Sequence, residues 1–457
     1  MPIKILFSFL LCAILFSCTT HVDDDSYTTA EKLEKMLNEH TLELWYPRII
    51  DENNGGYYSN YSYNWIKDSI QNKFLVTQAR HVWTLSRAYQ FYPERLAYKK
   101  HAHHGFEFLR DHLWDTDFGG FFQLVDSTGK VPMSKYALEK RAYGNAFAIY
   151  GLAAYYKISK EEGVLDLAID AFKWFDEHAH DTEFGGYFQF LQQDGTPIPR
   201  AVLQEGYNAG DKVMVGLKDY NSSIHILEAF TELHQVWPDN VLHERLSEMY
   251  DIVSNTMFDP RGFLKLNFYP DWTEVEDEEI ISVTGGHGYH TSHVTFGHDV
   301  ETAFLLIEAA EELEIDKTKI LPKAKLFVDH ALKMGWDVKK GGFYEQGKYV
   351  SGKMKIIDKG KNWWAQAEGL NSLLLMHILY PNDPQNYYLK FELLYEYINQ
   401  NMIDHQYKGW YSWGSDYNPE TKRSSKANIW KGTYHTSRSL FRCIAMLNEE
   451  EMMHSED

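Results

Sequence analysis

Apolar residues recur at helical spacing along most of the chain. In residues 76–91, 97–113, 361–379 and 386–401 they return every three or four positions, the spacing of a helix with one buried face. Such stretches come in pairs, and each pair lies between two glycine-rich turns. The pattern therefore predicts a chain built from helical hairpins.

The glycine-rich turns share one pattern, in which an acidic residue precedes Gly-Gly and two aromatic residues. Four complete copies begin at Asp51, Asp115, Asp181 and Asp337, and two degraded copies begin at Asp259 and Asp404. Six copies at near-even spacing exceed what common loop chemistry would produce. Consecutive glycines accept positive φ, and an aromatic pair suits a short strand. The sequence predicts six repeats with short β segments at one end.

Six hairpins supply twelve helices if the first helix covers residues 29–44 and the last covers residues 430–447. Six paired helices commonly close into an (α/α)6 barrel, and an open solenoid is the alternative. No long Ser/Pro-rich linker interrupts residues 29–457, so we predict a single domain. The helices that directly follow each turn are expected to line the barrel.

The N-terminus has the features of a secretory leader. Its apolar run, residues 5–16, is too short for a bilayer anchor but has the length of a signal-peptide core. A small residue directly precedes Cys18, as in the lipobox of bacterial lipoproteins; a plain signal peptide is the alternative. We predict a signal peptide over residues 1–17, a lipidated cysteine and polar tether over residues 18–28, and an exported lipoprotein of the cell envelope that contacts the membrane through its lipid alone.

Composition and charge limit the kinds of binding partner that this chain can have. The 457 residues are 44% hydrophobic and 15% aromatic, which is ample for a large core. A net charge of −20 without a dense Lys/Arg stretch argues against a nucleic-acid partner. The three cysteines are Cys12, Cys18 and Cys443, and lipidation of Cys18 would leave Cys443 without a partner in the mature chain, so no disulfide framework is expected.

Unusual side chains concentrate on the predicted inner helices. Asn221 with His225, His298 with Glu301, and Trp364 with Glu368 share helix faces, and Arg80, Tyr143, Trp430 and His435 lie near other helix starts. A core histidine, a helix cap or a core tryptophan explains each one alone. Together they bring titratable groups, aromatic rings and a cation to one barrel mouth. Tryptophan beside carboxylate favours a carbohydrate pocket, because a pyranose offers an apolar face and hydroxyl groups.

Signatures of other chemistries do not occur in the sequence. It contains no phosphate-cradling Gly-Lys-Ser/Thr loop, dinucleotide fingerprint or serine elbow. Residues 285–293 include His287, His290 and His293, three imidazoles for a metal, but irregular glycine backbone without nearby carboxylates favours a plain loop. We therefore predict no metal site.

The order of the motifs resembles the N-acylglucosamine 2-epimerase and cellobiose 2-epimerase family. The matching segments are Arg80 with Trp83-Thr84, Asn221 to His225, Gly297-His298-Asp299-Val300-Glu301, Trp363 to Glu368 with Ala365 for the family's proline, and Trp430 to His435. Ser223 replaces the first histidine of the family's Asn-Thr-His-Leu-His. Phe304 stands where the family often has a tryptophan. Both differences concern the shape of the sugar subsite.

The resemblance implies an all-α (α/α)6 barrel that epimerises a sugar at C2 without a metal or nucleotide cofactor. Its substrate would be a small sugar, typically a β-1,4-linked disaccharide whose reducing-end residue interconverts between glucose and mannose. After ring opening, the C1 aldehyde acidifies the C2 proton, and removal of that proton gives an enediolate. Inversion needs acid/base groups on both sides of C2 or rotation of the intermediate.

The same resemblance suggests roles for the candidate residues. We expect His298 and His435 to transfer the C2 protons, since imidazole titrates near neutrality. Arg80 would stabilise the oxyanion, and His225 would assist ring opening. Glu301 and Glu368 would orient histidines or hydroxyls, whereas Tyr143, Asn221, Trp364, Trp430, Trp410 and Phe304 would bind the sugar. A helix start lowers the pKa of His298 and Glu301 raises it, so the sequence leaves the direction open.

Four alternative functions would use parts of the same set of residues. A monosaccharide aldose-ketose isomerase or an N-acylglucosamine 2-epimerase would share most of it. An (α/α)6 glycoside hydrolase would use Glu301 and Glu368 as its paired carboxylates. A noncatalytic glycan-binding lipoprotein would need the tryptophans but neither His298 nor His435.

Overall fold

The computed structural model describes residues 28–200, 214–275 and 293–455, and side chains as far as residue 449. The leader, Cys18, His287 and His290 lie outside these residues. The described residues form twelve long helices: α1 (Thr29–Leu37), α2 (Leu75–Phe91), α3 (Leu96–Phe108), α4 (Ala142–Ser159), α5 (Glu162–Ala179), α6 (Tyr220–His234), α7 (Asn240–Asp251), α8 (Phe296–Glu312), α9 (Lys317–Gly335), α10 (Trp363–Leu379), α11 (Tyr387–Asn401) and α12 (Tyr434–Ser455). Among them, no helix is both long and apolar enough to cross a membrane.

The even-numbered helices form a closed inner ring. Each packs against the next, from α2 through α4, α6, α8 and α10 to α12, and α12 packs back against α2. Each odd-numbered helix from α3 to α11 covers the inner helix before it, and α1 covers α12. The predicted (α/α)6 barrel is confirmed, and closure of the ring rules out the open solenoid.

The inner helices are buried on nearly all sides, whereas the outer helices bury one face. In α4, every residue from Gly144 to Tyr155 is buried, and small side chains allow close helix contact. A Cβ on Gly151 would lie 2.7 Å from the carbonyl oxygen of Ala79 in α2. This close approach explains why a helix of the inner wall needs glycine at that position.

Two predicted helix boundaries differ from the observed ones. The first helix ends at Leu37 and continues as a π-helical turn, Asn38–Leu42, and a short helix, Glu43–Trp45. The last helix starts at Tyr434 rather than at residue 430, because Oδ1 of Asn428 accepts hydrogen bonds from the backbone N–H groups of residues 430 and 431 and holds them in a turn.

Short strands lie at one end of the barrel, as predicted, but they directly precede the inner helices, and the aromatic pairs of the four complete turns form only isolated bridges. The antiparallel pairs are β1 (Lys73–Phe74) with β2 (Leu124–Val125), β3 (Lys140–Arg141) with β4 (Phe190–Leu191), β5 (Lys218–Asp219) with β8 (Asn267–Phe268), and β6 (Phe258–Asp259) with β7 (Phe263–Leu264). A longer sheet has the order β11 (Lys353–Asp358), β10 (Gln346–Val350), β9 (His293–Thr295). Strands β1, β3, β5 and β9 run directly into α2, α4, α6 and α8, so this end of the barrel carries the strands.

A buried lysine accompanies the acid in five of the six turns, a regularity that the sequence analysis missed. The pairs are Lys73–Asp51 at 2.8 Å, Lys140–Asp115 at 3.0 Å, Lys218–Asp181 at 2.7 Å, Lys361–Asp337 at 3.0 Å and Lys426–Asp404 at 2.6 Å. In four of them the lysine lies two residues before an inner helix. These four buried ion pairs therefore tie a turn to the start of the inner helix that follows it.

Side-chain amides of two inner helices form hydrogen bonds with the backbone of these turns. Gln78 accepts from the backbone N–H of Tyr57 at 2.8 Å and donates to its carbonyl oxygen at 2.9 Å. Gln366 bonds Phe343 in the same way, at 2.8 and 3.0 Å. Both amides sit at the fourth residue of their helix, so the repeat fixes the rotation of the inner helix as well as its position.

Replacing Gly120 by alanine is expected to lower the free energy of unfolding by about 3 kcal/mol, since it combines left-handed backbone with overpacking. Gly120 has a φ of +68°, and a Cβ would lie 2.6 Å from ring atoms of Trp174. Urea denaturation measures the loss. Gly163→Ala in α5 is the matched control: its Cβ would meet open space, so stability should be unchanged or higher by up to about 1 kcal/mol. Equal midpoints for the two variants would contradict this account of the turn.

Candidate active site

A cavity of about 610 Å³ opens at the strand-bearing end of the barrel. Its wall includes the predicted sugar-binding residues Tyr143, Asn221 and Trp430. Trp430 is 49% exposed, whereas Oδ1 of Asn221 is buried and has no hydrogen-bond partner among the described residues. The cavity therefore offers an aromatic face and an unused acceptor to a polar ligand.

Beside this cavity, Trp364 contacts two histidines from different helices. Its ring centroid is 4.4 Å from that of His298 on α8 and 5.6 Å from that of His435 on α12. Tyr220 lines the cavity, and its hydroxyl is 3.2 Å from Nδ1 of His298. The structure thus brings the two histidines expected to transfer protons to the same indole ring.

Both histidines are held in the neutral form. Burial lowers the pKa of His298 well below that of free imidazole, and the neighbouring His225, His293 and Arg80 act in the same direction. Burial likewise lowers the pKa of His435, reinforced by the positive charges of Arg80 and Arg438. Neutral imidazole can accept a proton, so each ring is competent as a general base at neutral pH.

Arg438 on α12 joins three buried carboxylates from three other inner helices. Its guanidinium donates to Glu368 of α10 at 2.6 Å and makes closer contacts with Glu228 of α6 and Glu301 of α8. The hydroxyl of Tyr434 also donates to Glu228, at 2.5 Å. One cation thus anchors the acidic groups of the site.

The carboxylates of this cluster have very different acidities. Burial raises the pKa of Glu368 to about 8, since the nearby charge of Glu301 adds to the effect and Arg438 offsets only part of it. Burial also favours the neutral form of Glu228, but Arg438 and a hydrogen bond from His225 outweigh it and lower its pKa to about 2. Glu228 is therefore a fixed anion, while Glu368 holds a proton at neutral pH.

His435 is oriented by Glu368. Nδ1 of His435 lies 2.7 Å from Oε1 of Glu368 and 3.8 Å from Oε1 of Glu301. This hydrogen bond fixes the ring and links its protonation to that of Glu368. Glu368 is thus the carboxyl group in hydrogen-bond contact with His435, whereas Glu301 is farther from the ring and bonds Arg438.

His225 and Arg80 form a second group next to the first. Nδ1 of His225 lies 2.8 Å from Oε2 of Glu228, and its ring contacts Phe147 at a centroid distance of 4.8 Å. Arg80 donates to the hydroxyl of Tyr143 at 2.8 Å, and its guanidinium lies 4.1 Å above the ring of Phe147. Among the described residues it pairs with no carboxylate, so its charge is available to an oxyanion.

Two predicted sugar-binding residues are not placed for that role. Trp410 is 4% exposed and follows the glycine of its turn, the position that buried Tyr57 and Phe343 hold in other repeats. It is a core residue of the turn. Phe304 is fully buried, with its ring 5.0 Å from the guanidinium groups of Arg438 and Arg442. The expectation for both was wrong, because a single sequence does not tell a buried aromatic ring from one that faces a cavity.

Four residues of the cluster were not singled out as site residues from the sequence: Tyr220, Glu228, Tyr434 and Arg438. Glu228 follows His225 by three residues, and Arg438 follows His435 by three. The spacing that paired His298 with Glu301 was therefore present in both helices. What the sequence lacked was the partner on the neighbouring helix.

Donor atoms of Glu301, Glu368 and His435 lie within 4.8 Å of one another, close enough to hold a metal ion. Arg438, however, donates to both carboxylates, so a metal would have to displace a buried guanidinium. The negative charge of these carboxylates is thus already balanced by the guanidinium of Arg438. The histidine segment considered as a metal loop lies, apart from His293, outside the described residues.

The sequence and the structure are similar to those of known proteins. The model of the N-acylglucosamine 2-epimerase (GlcNAc 2-epimerase) family matches residues 56–439. The chain is similar to the cellobiose 2-epimerase of Dictyoglomus turgidum, with 28% identity over 89% of this chain and 96% of the relative. It is 27% identical to the cellobiose 2-epimerase of Bacteroides fragilis over 92% of this chain and 98% of the relative. The structure of cellobiose 2-epimerase from Spirochaeta thermophila superposes with a TM-score of 0.76 at 27% identity, covering 92% of this chain and 96% of that one.

Proposed function

The chain belongs to the N-acylglucosamine 2-epimerase family, and from this premise we propose that it is a carbohydrate 2-epimerase acting on β-1,4-linked disaccharides such as cellobiose and mannobiose. It interconverts glucose and mannose at the reducing end. The observation that carries this proposal is the pair of neutral histidines, His298 and His435, that both contact the Trp364 indole. The relatives named cellobiose 2-epimerase support the choice of substrate.

Binding comes first. The apolar face of the reducing-end pyranose stacks on Trp364, and the second sugar residue contacts Trp430 at the cavity wall. His225, held by the fixed anion Glu228, exchanges protons with the ring oxygen or the anomeric hydroxyl and opens the ring. The aldehyde that results makes the C2 proton acidic.

In the proton transfer at C2, His298 acts as the base and His435 acts as the acid. His298 is neutral and takes the proton from one face of C2. The enediolate oxygen develops negative charge next to Arg80, whose guanidinium is not neutralised by a carboxylate among the described residues. His435, whose Nδ1 is bonded to the protonated Glu368, returns a proton to the other face, and exchange with water resets both groups.

The cluster geometry disfavours a glycoside hydrolase. Hydrolases place two carboxyl groups about 5 to 9.5 Å apart on either side of a glycosidic bond. Here Glu301 and Glu368 both bind the same nitrogen of Arg438, Nη2, which leaves no room for a sugar between them. The two carboxyls therefore act as one anchored pair.

The pH profile of kcat/KM should be flat between about pH 6 and pH 8 and should fall above about pH 8. Free imidazole, with a pKa of about 6.5, would be mostly protonated at pH 6, but the pKa values of both site histidines are lowered. Above a pH of about 8, Glu368 loses its proton and His435 can no longer act as an acid. Initial rates at saturating and limiting cellobiose across pH 5 to 10 measure this profile. An acidic limb centred at or above pH 6.5 would show that the histidines are not shielded as the structure has them.

The reaction itself is tested by an NMR time course of the mature protein with cellobiose or mannobiose in D₂O. The proposal expects the C2 epimer with deuterium at C2, and loss of both signals in His298→Ala. Release of monosaccharides would show a hydrolase, and accumulation of a ketose would show an isomerase. Absence of any product with either disaccharide would exclude these substrates and favour another sugar or a glycan-binding role.

We also propose that the protein is an exported lipoprotein acylated at Cys18, as the leader sequence indicates. Acylation would place the barrel at the cell envelope on the tether of residues 18–28. Mass spectrometry of the N-terminal peptide from the membrane fraction should find a diacylglyceryl group on Cys18. In Cys18→Ser the protein should leave the membrane fraction, whereas Cys443→Ser, which changes a buried cysteine, should not alter fractionation. An unmodified N-terminus elsewhere would establish a plain signal peptide.

A further inference from the structure

A second depression, of about 560 Å³, adjoins the cavity on the outer rim of the barrel. Three tryptophans line it, Trp363, Trp413 and Trp430, together with polar side chains that include Arg423 and Asn428. Trp430 also belongs to the wall of the cavity. The two spaces therefore border the same indole ring, and we refer to the second as the tryptophan groove.

We infer that the tryptophan groove binds the third and following sugar residues of a β-1,4-linked oligosaccharide, so that chains longer than the disaccharide are preferred. This inference rests on the proposed function, which places the reducing-end residue beside Trp364. Trp363, the first residue of α10 and the chain neighbour of Trp364, lines the groove. A glycan that begins at Trp364 and passes Trp430 thus leaves the cavity over the groove.

The groove is held in place before any ligand arrives. Trp413 is half-buried, its backbone N–H donates to Oγ1 of Thr421 at 3.1 Å, and its backbone pairs with that of Asn362. Gly360 lies beneath the Trp413 ring, since a Cβ there would be 3.0 Å from it. A rigid aromatic floor binds a sugar at low entropic cost because few side-chain rotations are lost.

The chemistry of the groove fits a neutral polyhydroxy ligand. Indole rings pack against the apolar faces of pyranoses, and hydroxyl and guanidinium groups at the edges bind their hydroxyls. Oδ1 of Asn428 accepts from the backbone N–H groups of Trp430 and Lys431 at 2.9 and 3.0 Å, which fixes the segment that carries the shared indole. Arg423 is exposed at the edge. Such a surface suits the repeating residues of a glucan or mannan chain.

The test compares kcat/KM for cellobiose, cellotriose and cellotetraose, with the mannan series in parallel. Wild-type protein should prefer the trisaccharide by about tenfold, a factor that corresponds to about 1.4 kcal/mol. In Trp413→Ala the ratio of trisaccharide to disaccharide kcat/KM should fall to near one. Arg423→Ala, at an exposed position that folding does not need, should lower the ratio by about threefold, near 0.7 kcal/mol.

Tyr417→Ala is the matched control, because Tyr417 is an exposed aromatic residue of the same segment outside the groove. Its ratio should equal that of wild type. Calorimetric titration with the corresponding oligosaccharide alditols, which cannot react at C2, gives a readout that is independent of catalysis. Tighter binding of the longer alditols, lost in Trp413→Ala, would support the groove even if no disaccharide were epimerised. Epimerisation without any gain from the third residue would overturn the inference and leave the proposed function intact.

Discussion

His435→Ala is expected to lower kcat for C2 epimerisation by about a thousandfold, within the range that positioned acid/base groups contribute. His435 is one of two imidazoles at the Trp364 ring, and its Nδ1 is bonded to Glu368 at 2.7 Å. Without it, the enediolate has no proton donor on that face. KM should change little, since the stacking surfaces of Trp364 and Trp430 remain. Initial rates and the deuterium content at C2, followed by NMR in D₂O, measure the effect.

Deuterium incorporation at C2 distinguishes the roles of the two histidines. If His435 returns the proton, its alanine variant should still let His298 exchange the C2 proton of the starting sugar with deuterium, without formation of the epimer. His298→Ala should abolish both exchange and epimer formation. His103→Ala, at a partly exposed histidine of α3, is the matched control and should retain wild-type rates. More than a tenth of wild-type kcat in His435→Ala would disprove the assignment.

Arg438→Met is expected to lower the free energy of unfolding by about 3–5 kcal/mol, the usual cost of breaking a buried ion pair from one side. The guanidinium bonds Glu228, Glu301 and Glu368, all of them buried. Its loss leaves three carboxyl groups in the barrel interior without a cation. Activity should fall as well, since Glu368 positions His435. Urea denaturation followed by circular dichroism measures the stability.

The loss caused by Arg438→Met should shrink on acidification. Without the cation, the pKa values of the buried carboxyls rise above those of the unfolded chain, so the folded variant binds more protons and its stability falls as pH rises. The difference from wild type should thus be smaller at pH 5 than at pH 8. Arg110→Met, which breaks an exposed pair with Asp111, should cost less than about 1 kcal/mol at either pH. A loss that does not depend on pH would indicate that packing, not charge, is the role of Arg438.

Much of the fold was determined by local sequence features. The apolar periodicity of the paired segments and the turns that start at Asp51, Asp115, Asp181 and Asp337 predicted the helical hairpins, because helix period and glycine backbone freedom act over a few residues. Family-like motifs on the inner helices pointed to His298, His435 and Trp364. Trp430 belongs to such a motif as well, whereas Tyr143 was singled out by its position near a helix start.

Other features were decided only by tertiary structure. Closure of the ring depends on α12 meeting α2, residues that are far apart in sequence. Arg438 meets Glu228, Glu301 and Glu368 only when four inner helices converge, since each helix alone shows no more than a common spacing.

Burial in the assembled barrel also explains which expectations from the sequence were wrong and which were left undecided. Trp410 and Phe304 were expected at the sugar, but burial depends on which neighbours a ring meets, and these rings meet the turn core and two guanidinium groups. The direction of the His298 pKa was undecided because a helix start and Glu301 oppose each other. Burial among side chains of other helices settles it, as desolvation is a property of the assembled barrel and not of any single segment.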